Sequence, residues 1–184
     1  MNIRGNNRKT KLIAIISVLS LIVVFSGIAF LPCVKVLSLS NRKNPSEKVY
    51  YRSMENGFII SYTHSVNKGR VHDFYQIEKN GNLTVKKTVF VSYGAGIPEP
   101  EETKGAVFEW TNDGYQISGL NRSVPQLLMA VGVIAEHSIS FDNLQNEFFL
   151  KDFFKPQTSV LFKVKKVSIL DYFLENTNEN RRHY

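Results

Sequence analysis

The sequence predicts an all-β fold, an antiparallel β-sandwich or partly closed barrel, behind one N-terminal transmembrane helix. Three observations lead there. Leu12 to Leu31 is a run of twenty residues without a charge. Beyond it, short stretches alternate apolar and polar residues and are separated by turns carrying Asn and Gly. Aromatic residues make up 12% of the chain, a content that suits a β-rich core.

The uncharged run comes first. At a helical rise of about 1.5 Å per residue it is roughly 30 Å long, the thickness of one bilayer core. It is longer than the apolar region of a cleavable signal, and the cleavage-site candidates, at Ser26–Ala29 and Ser38–Ser40, are weak. An uncleaved anchor is expected. Arg4, Arg8, Lys9 and Lys11 precede it and no acid does. Lys35, Arg42 and Lys43 follow it, but a long domain crosses regardless of such local charge. The basic tail is therefore placed in the cytoplasm and the domain outside. The chain divides into a cytoplasmic tail (1–11), an anchor (12–31), an extracytoplasmic domain (32–170) and a flexible polar tail (171–184). Localisation is the cell membrane, with a single pass.

The formal charge of +7 follows from this division. Four of those charges belong to the N-terminal tail, which leaves +3 for the rest. That is no footprint for nucleic acid, whereas a basic tail beside a membrane favours anionic lipid. Cys33 is the one cysteine, so no intrachain disulfide forms. Pro32 stands where lipidation would need a small residue.

Strands are expected at Val34–Leu39 and Val49–Arg52, with a loop at Asn41–Glu47 between them. Gly57 to Tyr75 then reads as a hairpin. Side chains alternate faces along a strand. Phe58, Ile60, Tyr62 and His64 form its apolar row, and Val71, Asp73, Tyr75 and Ile77 form that of the return strand. Asn80-Gly81 is a two-residue turn signal. Leu83, Val85, Val89, Val91 and Tyr93 continue as an apolar row with Lys87 as its one charged member, completing a three-stranded meander. Gly94-Ala95-Gly96-Ile97-Pro98 is a tight loop, followed by the acidic Glu99 to Glu102, read as a solvated run. Val107–Thr111 and Tyr115–Leu120 make a hairpin about Asn112-Asp113-Gly114. Gln126–Ala135 reads as helix from Ser123 and Pro125, or as strand from Val131 to Ile134. On the strand reading Leu127, Met129, Val131, Val133, Ala135 and His137 share a face. Glu147–Phe154 and Thr158–Val167 are further strands, giving roughly eight to ten in all for a fold of this class.

Polar chemistry concentrates in the first hairpin. Asp73 sits in an apolar row, and a buried carboxylate needs a partner. His64, at the end of the facing row, is the expected one. Two readings compete: a structural hydrogen bond that pins strand register, and a functional polar point near a loop. His137 ends another apolar row, where a lone histidine is ordinarily a satisfied core residue. Two imidazoles and a carboxylate also suit zinc, which makes His64, Asp73 and His137 weak metal candidates without a recognised spacing. Ser65 beside His64 points to the opposite face of a strand, so a nucleophilic dyad has poor geometry. No G-x-S-x-G elbow is present. The candidate ligand- or partner-binding residues are Tyr62, His64, Ser65, Asp73, Tyr75, Gly94, Gly96 and His137. The chain is read as more a binding protein than an enzyme, and no cofactor is assigned.

Ile60-Ser61-Tyr62-Thr63-His64-Ser65-Val66, Asp73-Phe74-Tyr75, Tyr93-Gly94-Ala95-Gly96-Ile97-Pro98 and Gly119-Leu120-Asn121-Arg122 occur in that order. Together they resemble the domain-of-unknown-function family numbered 1850, over roughly Val34 to Val167. Members carry a signal or anchor segment and are often encoded beside TRAP-type transporters of the TAXI class, which use an extracytoplasmic solute-binding protein. The resemblance implies an accessory role, with the membrane and transporter subunits or the solute-binding protein as partners. The alternative is a metal- or small-ligand-binding module, or less readily a hydrolase, built on His64, Asp73 and His137. Family members tend to carry two acids where His72-Asp73 stands and Pro where Gly69-Arg70 stands. This departure removes the basis for a two-carboxylate site.

Overall fold

The structure is a computed structural model that describes residues 3–51, 57–99, 105–141 and 143–182; side chains are described from residue 10 to residue 176 of that set. The expected strand end at Arg52 and the acidic run beyond Glu99 lie outside the described residues. Helix α1 (Ile3–Phe30) leads into strands β1 (Pro32–Asn41), β2 (Lys48–Tyr51), β3 (Phe58–Thr63), β4 (Arg70–Ile77) and β5 (Leu83–Phe90). Strands β6 (Val107–Thr111), β7 (Gly114–Val124), β8 (Leu127–Ala130), β9 (Ser138–Ser140) and β10 (Phe148–Phe149) follow. Helix α2 (Leu150–Phe153), strand β11 (Ser159–Ser168) and helix α3 (Ile169–Arg182) complete the chain. Two compact units form: residues 35–165, and residues 1–34 with 166–184.

In the first unit two open antiparallel sheets face each other. One has the order β2-β1-β11-β8 and the other β10-β9-β3-β4-β5-β7-β6. Leu37, Leu39, Val49, Val160 and Phe162 from the first meet Phe58, Ile60, Tyr75, Leu83 and Ile139 from the second in one buried cluster. The alternation read from the sequence places these rows inward, and burying them removes apolar surface from water. A second cluster, Val71, Phe90, Ile97, Tyr115 and Ile117, lies at the other end of the inner face of the seven-stranded sheet. Tyr62 packs against both.

The β3–β4–β5 meander and the β6–β7 hairpin form as the sequence predicts. Four readings need correction. The row of β5 is broken: β5 shifts register against β4 and β7 around Lys86, an extra residue on its strand. Such a bulge reverses which face the following residues present. Thr88 and Phe90 therefore turn inward, while Lys87 turns outward and lies over the Phe74 ring at 4.4 Å. In Gln126–Ala135 the strand stops at Ala130, and Val133 and Ile134 are exposed. The chain bends over Val133–Ala135 and passes through left-handed Glu136, so His137 does not end that row. In Glu147–Phe154 only Phe148–Phe149 is strand, and the chain coils at once into α2, which buries Leu150 and Phe153. Most of the expected polar tail is helical rather than irregular: residues 169–182 form a helix capped by Ser168, whose Oγ accepts from the Asp171 N–H at 3.0 Å.

The second unit holds α1 and α3, which touch each other. Thr10–Phe30 of α1 is long and apolar enough to cross a membrane, and none of it is buried.

Candidate functional site

The β3–β4 register is Phe58↔Tyr75, Ile60↔Asp73 and Tyr62↔Val71, so Tyr62, Asp73 and Tyr75 all point between the sheets. Asp73 faces Thr88 of β5. Thr88 Oγ1 donates to Asp73 Oδ1 at 2.7 Å, and the Tyr62 hydroxyl also donates to the carboxylate. The bulge at Lys86 makes this arrangement. An unbroken β5 would set Lys87 opposite Asp73 and give an ion pair. With the extra residue, the carboxyl meets hydroxyls instead. Burial raises the Asp73 pKa above the ordinary carboxylate value, and the two hydroxyl bonds only partly oppose it. Burial also raises both tyrosine phenols, the Asp73 charge adding to it, so neither becomes a phenolate in the physiological range.

Tyr62 carries the group outward to His137. Their ring centroids are 5.6 Å apart, tilted by 32°. His137 Nδ1 accepts from the Gly132 N–H at 3.1 Å, and a Cβ on residue 132 would stand 3.0 Å from His137 Cε1. Burial lowers the His137 pKa and the Arg70 charge lowers it further.

His64 is elsewhere. It follows the last paired residue of β3 and stands at the head of the turn, with its N–H on the Gly69 carbonyl at 2.8 Å. Its Nδ1 accepts from the Val66 and Asn67 N–H groups at 3.3 and 3.4 Å. This assigns the ring proton to Nε2. The expected His64–Asp73 pair is not formed. Asp73 lies opposite Ile60, four residues back along β3, or roughly 13 Å at about 3.3 Å per strand residue. Sharing a face did not bring the two together.

What His64 meets is the glycine loop. Gly96 has φ +85°, and a Cβ there would lie 2.9 Å from His64 Cε1. Asn67 Nδ2 donates to the Ser92 carbonyl at 3.0 Å. A Cβ on Gly94 would lie at ordinary contact distance from Asn67. Ser65 is exposed, and its carbonyl accepts from Lys68 Nζ at 2.6 Å. The predicted residues thus separate into a buried seam (Tyr62, Asp73, Tyr75, with His137 beyond the Tyr62 ring) and a loop junction (His64, Ser65, Gly94, Gly96).

The outer face of the seven-stranded sheet holds polar residues that the sequence did not single out. Ser61 Oγ and His72 Nδ1 share a 2.7 Å hydrogen bond, with Ser61 fully buried. Arg70 bonds Glu147 and Ser138 at 3.1 Å each and the Glu136 carbonyl at 3.0 Å. Burial lowers the His72 pKa, again with help from Arg70. The period-two pattern of β4 does set Arg70 and His72 on one row, and Ser61 stands opposite His72 in the β3–β4 register. The partners of Arg70 come from beyond residue 135, a pairing that no local pattern announces.

The seam has a carboxyl whose pKa burial raises and phenols that stay protonated. The serine beside His72 is closed to solvent. Among the described residues no group of three His, Cys, Asp or Glu side chains is placed to hold a metal, so His64, Asp73 and His137 are not gathered into one.

A family model described as Domain of unknown function (DUF1850) matches residues 58–148. No curated protein and no solved structure matches the chain. The matched span runs from the first residue of β3 to the first residue of β10, and so contains the seam, the loop junction and six of the strands of the seven-stranded sheet together with β8. Over that segment the chain is similar to the DUF1850 family.

Proposed function

We propose that this protein is a membrane-anchored accessory protein whose β-domain stands outside the cell and engages a component of a TRAP-type solute transporter of the TAXI class. One observation carries the reading. The segments that recur in the family, around His64 and around Gly96, are distant in sequence and pack against each other at one end of a sheet. That end offers an exposed Val66 and a histidine whose Nε2–H is turned away from its own turn. Among the described residues, Ser65 there is exposed, and the hydrogen bonds of the His64 ring run to backbone N–H groups. Such a surface recognises rather than reacts, and loops on a rigid scaffold are where recognition concentrates. The single span of α1 supports anchoring, and the basic residues before it support a cytoplasmic N-terminus. The transporter is named from the family resemblance, an argument by association. The test is uptake of candidate solutes by a strain lacking this gene, complemented with the wild type or with Val66→Asp. Normal uptake in the deletion strain would defeat the reading. Loss of uptake restored by wild type and not by a stably folded Val66→Asp supports it.

A second reading is favoured by Asp73. A carboxyl with a raised pKa in an apolar seam is a small-ligand site candidate. It predicts that a small molecule copurifies with the detergent-solubilised chain and is lost in Asp73→Asn. Mass spectrometry that finds nothing bound would set it aside.

A further inference from the structure

Helix α3 is amphipathic with its apolar side outward. Leu170, Phe173 and Leu174, spaced i, i+3 and i+4, lie on one face, and the last two are 63% and 57% exposed. Glu175 is 8% exposed, so an acid is turned inward while a phenylalanine faces out. A helix that rests in water on a protein surface does the reverse.

The place of α3 says what covers that side. β1 and β11 are neighbours in their sheet, and the Arg42 N–H, just past the end of β1, donates to the carbonyl of Ser159, the first residue of β11, at 2.8 Å. Two ten-residue strands joined at those ends run antiparallel. The start of β1 therefore lies beside the end of β11. α1 ends at Phe30, two residues before β1, and α3 begins at Ile169, directly after β11. Both helices belong to one compact unit and are in contact. The outward apolar face thus begins at the level where the span of α1 ends. Here the medium changes from hydrocarbon to water, and a helix with one apolar side is stable lying along that boundary.

We infer that α3 is a second membrane element, an interfacial helix. It seats Leu170, Phe173 and Leu174 in the lipid headgroup region of the leaflet where α1 emerges. This rests on the anchor reading of α1 and extends it: the unit that holds α1 and α3 grips the bilayer at two points.

Tryptophan reporters in the full chain, reconstituted in vesicles of phosphatidylethanolamine and phosphatidylglycerol with brominated acyl chains, test it. Trp110 is the one native tryptophan, so the background is Trp110→Phe. Phe173→Trp and, separately, Leu174→Trp report on α3, and Phe25→Trp reports on α1. The expected result is blue-shifted emission quenched by bromine from all three positions. Quenching of the Phe25→Trp reporter alone, with α3 reporters open to aqueous acrylamide, overturns the inference and leaves the anchor standing. Reporters on α3 shielded from both bromine and acrylamide mean that a second copy or another protein covers the face, which also overturns it. No bromine quenching at any of the three removes the anchor itself.

Discussion

Asp73 is a carboxyl group that the fold surrounds with hydroxyls rather than cations, and its behaviour with pH follows from that. Its pKa is raised by burial above 3.8, so its contribution to stability is fully present below 3.8 and is lost as pH rises through the raised value. Asp73→Asn keeps an acceptor for one hydroxyl and removes the ionisation. Chemical denaturation across pH should show the variant gaining on the wild type as pH rises above 4; a gap that moves the other way would contradict the raised pKa. Asp73→Leu should instead cost about 1–3 kcal/mol at low pH, because the Tyr62 and Thr88 hydroxyls lose their acceptor. His72 and His137 act in a different window. Their pKa values are lowered from 6.5, so their contribution is present above 6.5 and lost as pH falls through the lowered values. The double variant His72→Gln, His137→Gln should flatten the stability loss between pH 6.5 and 5, and an unchanged slope would show that neither histidine carries it. The inward placing of Tyr62, Asp73 and Tyr75 was legible, since strand period alone decides it. Their partner Thr88 was not, because one extra residue at Lys86 inverts the pattern after it, and nothing local separates a bulge from a mispatterned strand.

At the scale of elements, the loop junction is held by backbone shape. Gly96 at φ +85° is in a region that costs an L side chain about 1–2 kcal/mol, before any contact is considered. The His64 ring adds a steric wall 2.9 Å from where a Cβ would be. A double-mutant cycle separates the two effects. Gly96→Ala should destabilise by more in the wild type than in a His64→Ala background. The residue of cost in that background should be the backbone part, about 1–2 kcal/mol. Equal costs in both backgrounds would show that the imidazole gives way and does not pack on the glycine. The turns were readable because Asn80-Gly81 and Asn112-Asp113-Gly114 are specified by their own residues, with Gly81 at φ +89°. The four family segments also acquire a physical reason. In Gly119-Leu120-Asn121-Arg122 the first and third residues are left-handed, at φ +75° and +42°, where β7 loops past the bulge of β5. Helix α3 was hidden by its composition: its polar second half reads as a loose tail, and the cap at Ser168 with the apolar triplet after it marks its start only once β11 is known to end there.

At the scale of the whole molecule, the all-β class was legible because many short alternating segments punctuated by turns fit little else. The division of strands between sheets was not. β8 joins β11, and β9 inserts beside β3, through pairings between distant parts of the chain that depend on which apolar rows can be buried together. Membrane topology lies between these cases. Thr10–Phe30 states its own length and hydropathy, so a span is legible, while its direction rests on a modest charge difference. The prediction is that residues 32–184 lie outside the cell. Protease added to intact spheroplasts should then remove the β-domain and leave only a short membrane-embedded fragment containing α1. A tag placed before Ile3 should survive that treatment and be lost only on lysis. If the full chain persists in intact spheroplasts and is cut after lysis, the domain faces the cytoplasm. An extracytoplasmic solute-binding protein then has no access to the His64–Gly96 junction, and the transporter proposal fails together with the orientation. A domain that resists protease on both sides would be resolved by labelling Cys33 with a membrane-impermeant maleimide, because this exposed thiol lies just beyond the end of α1 and reports which side the chain emerges on.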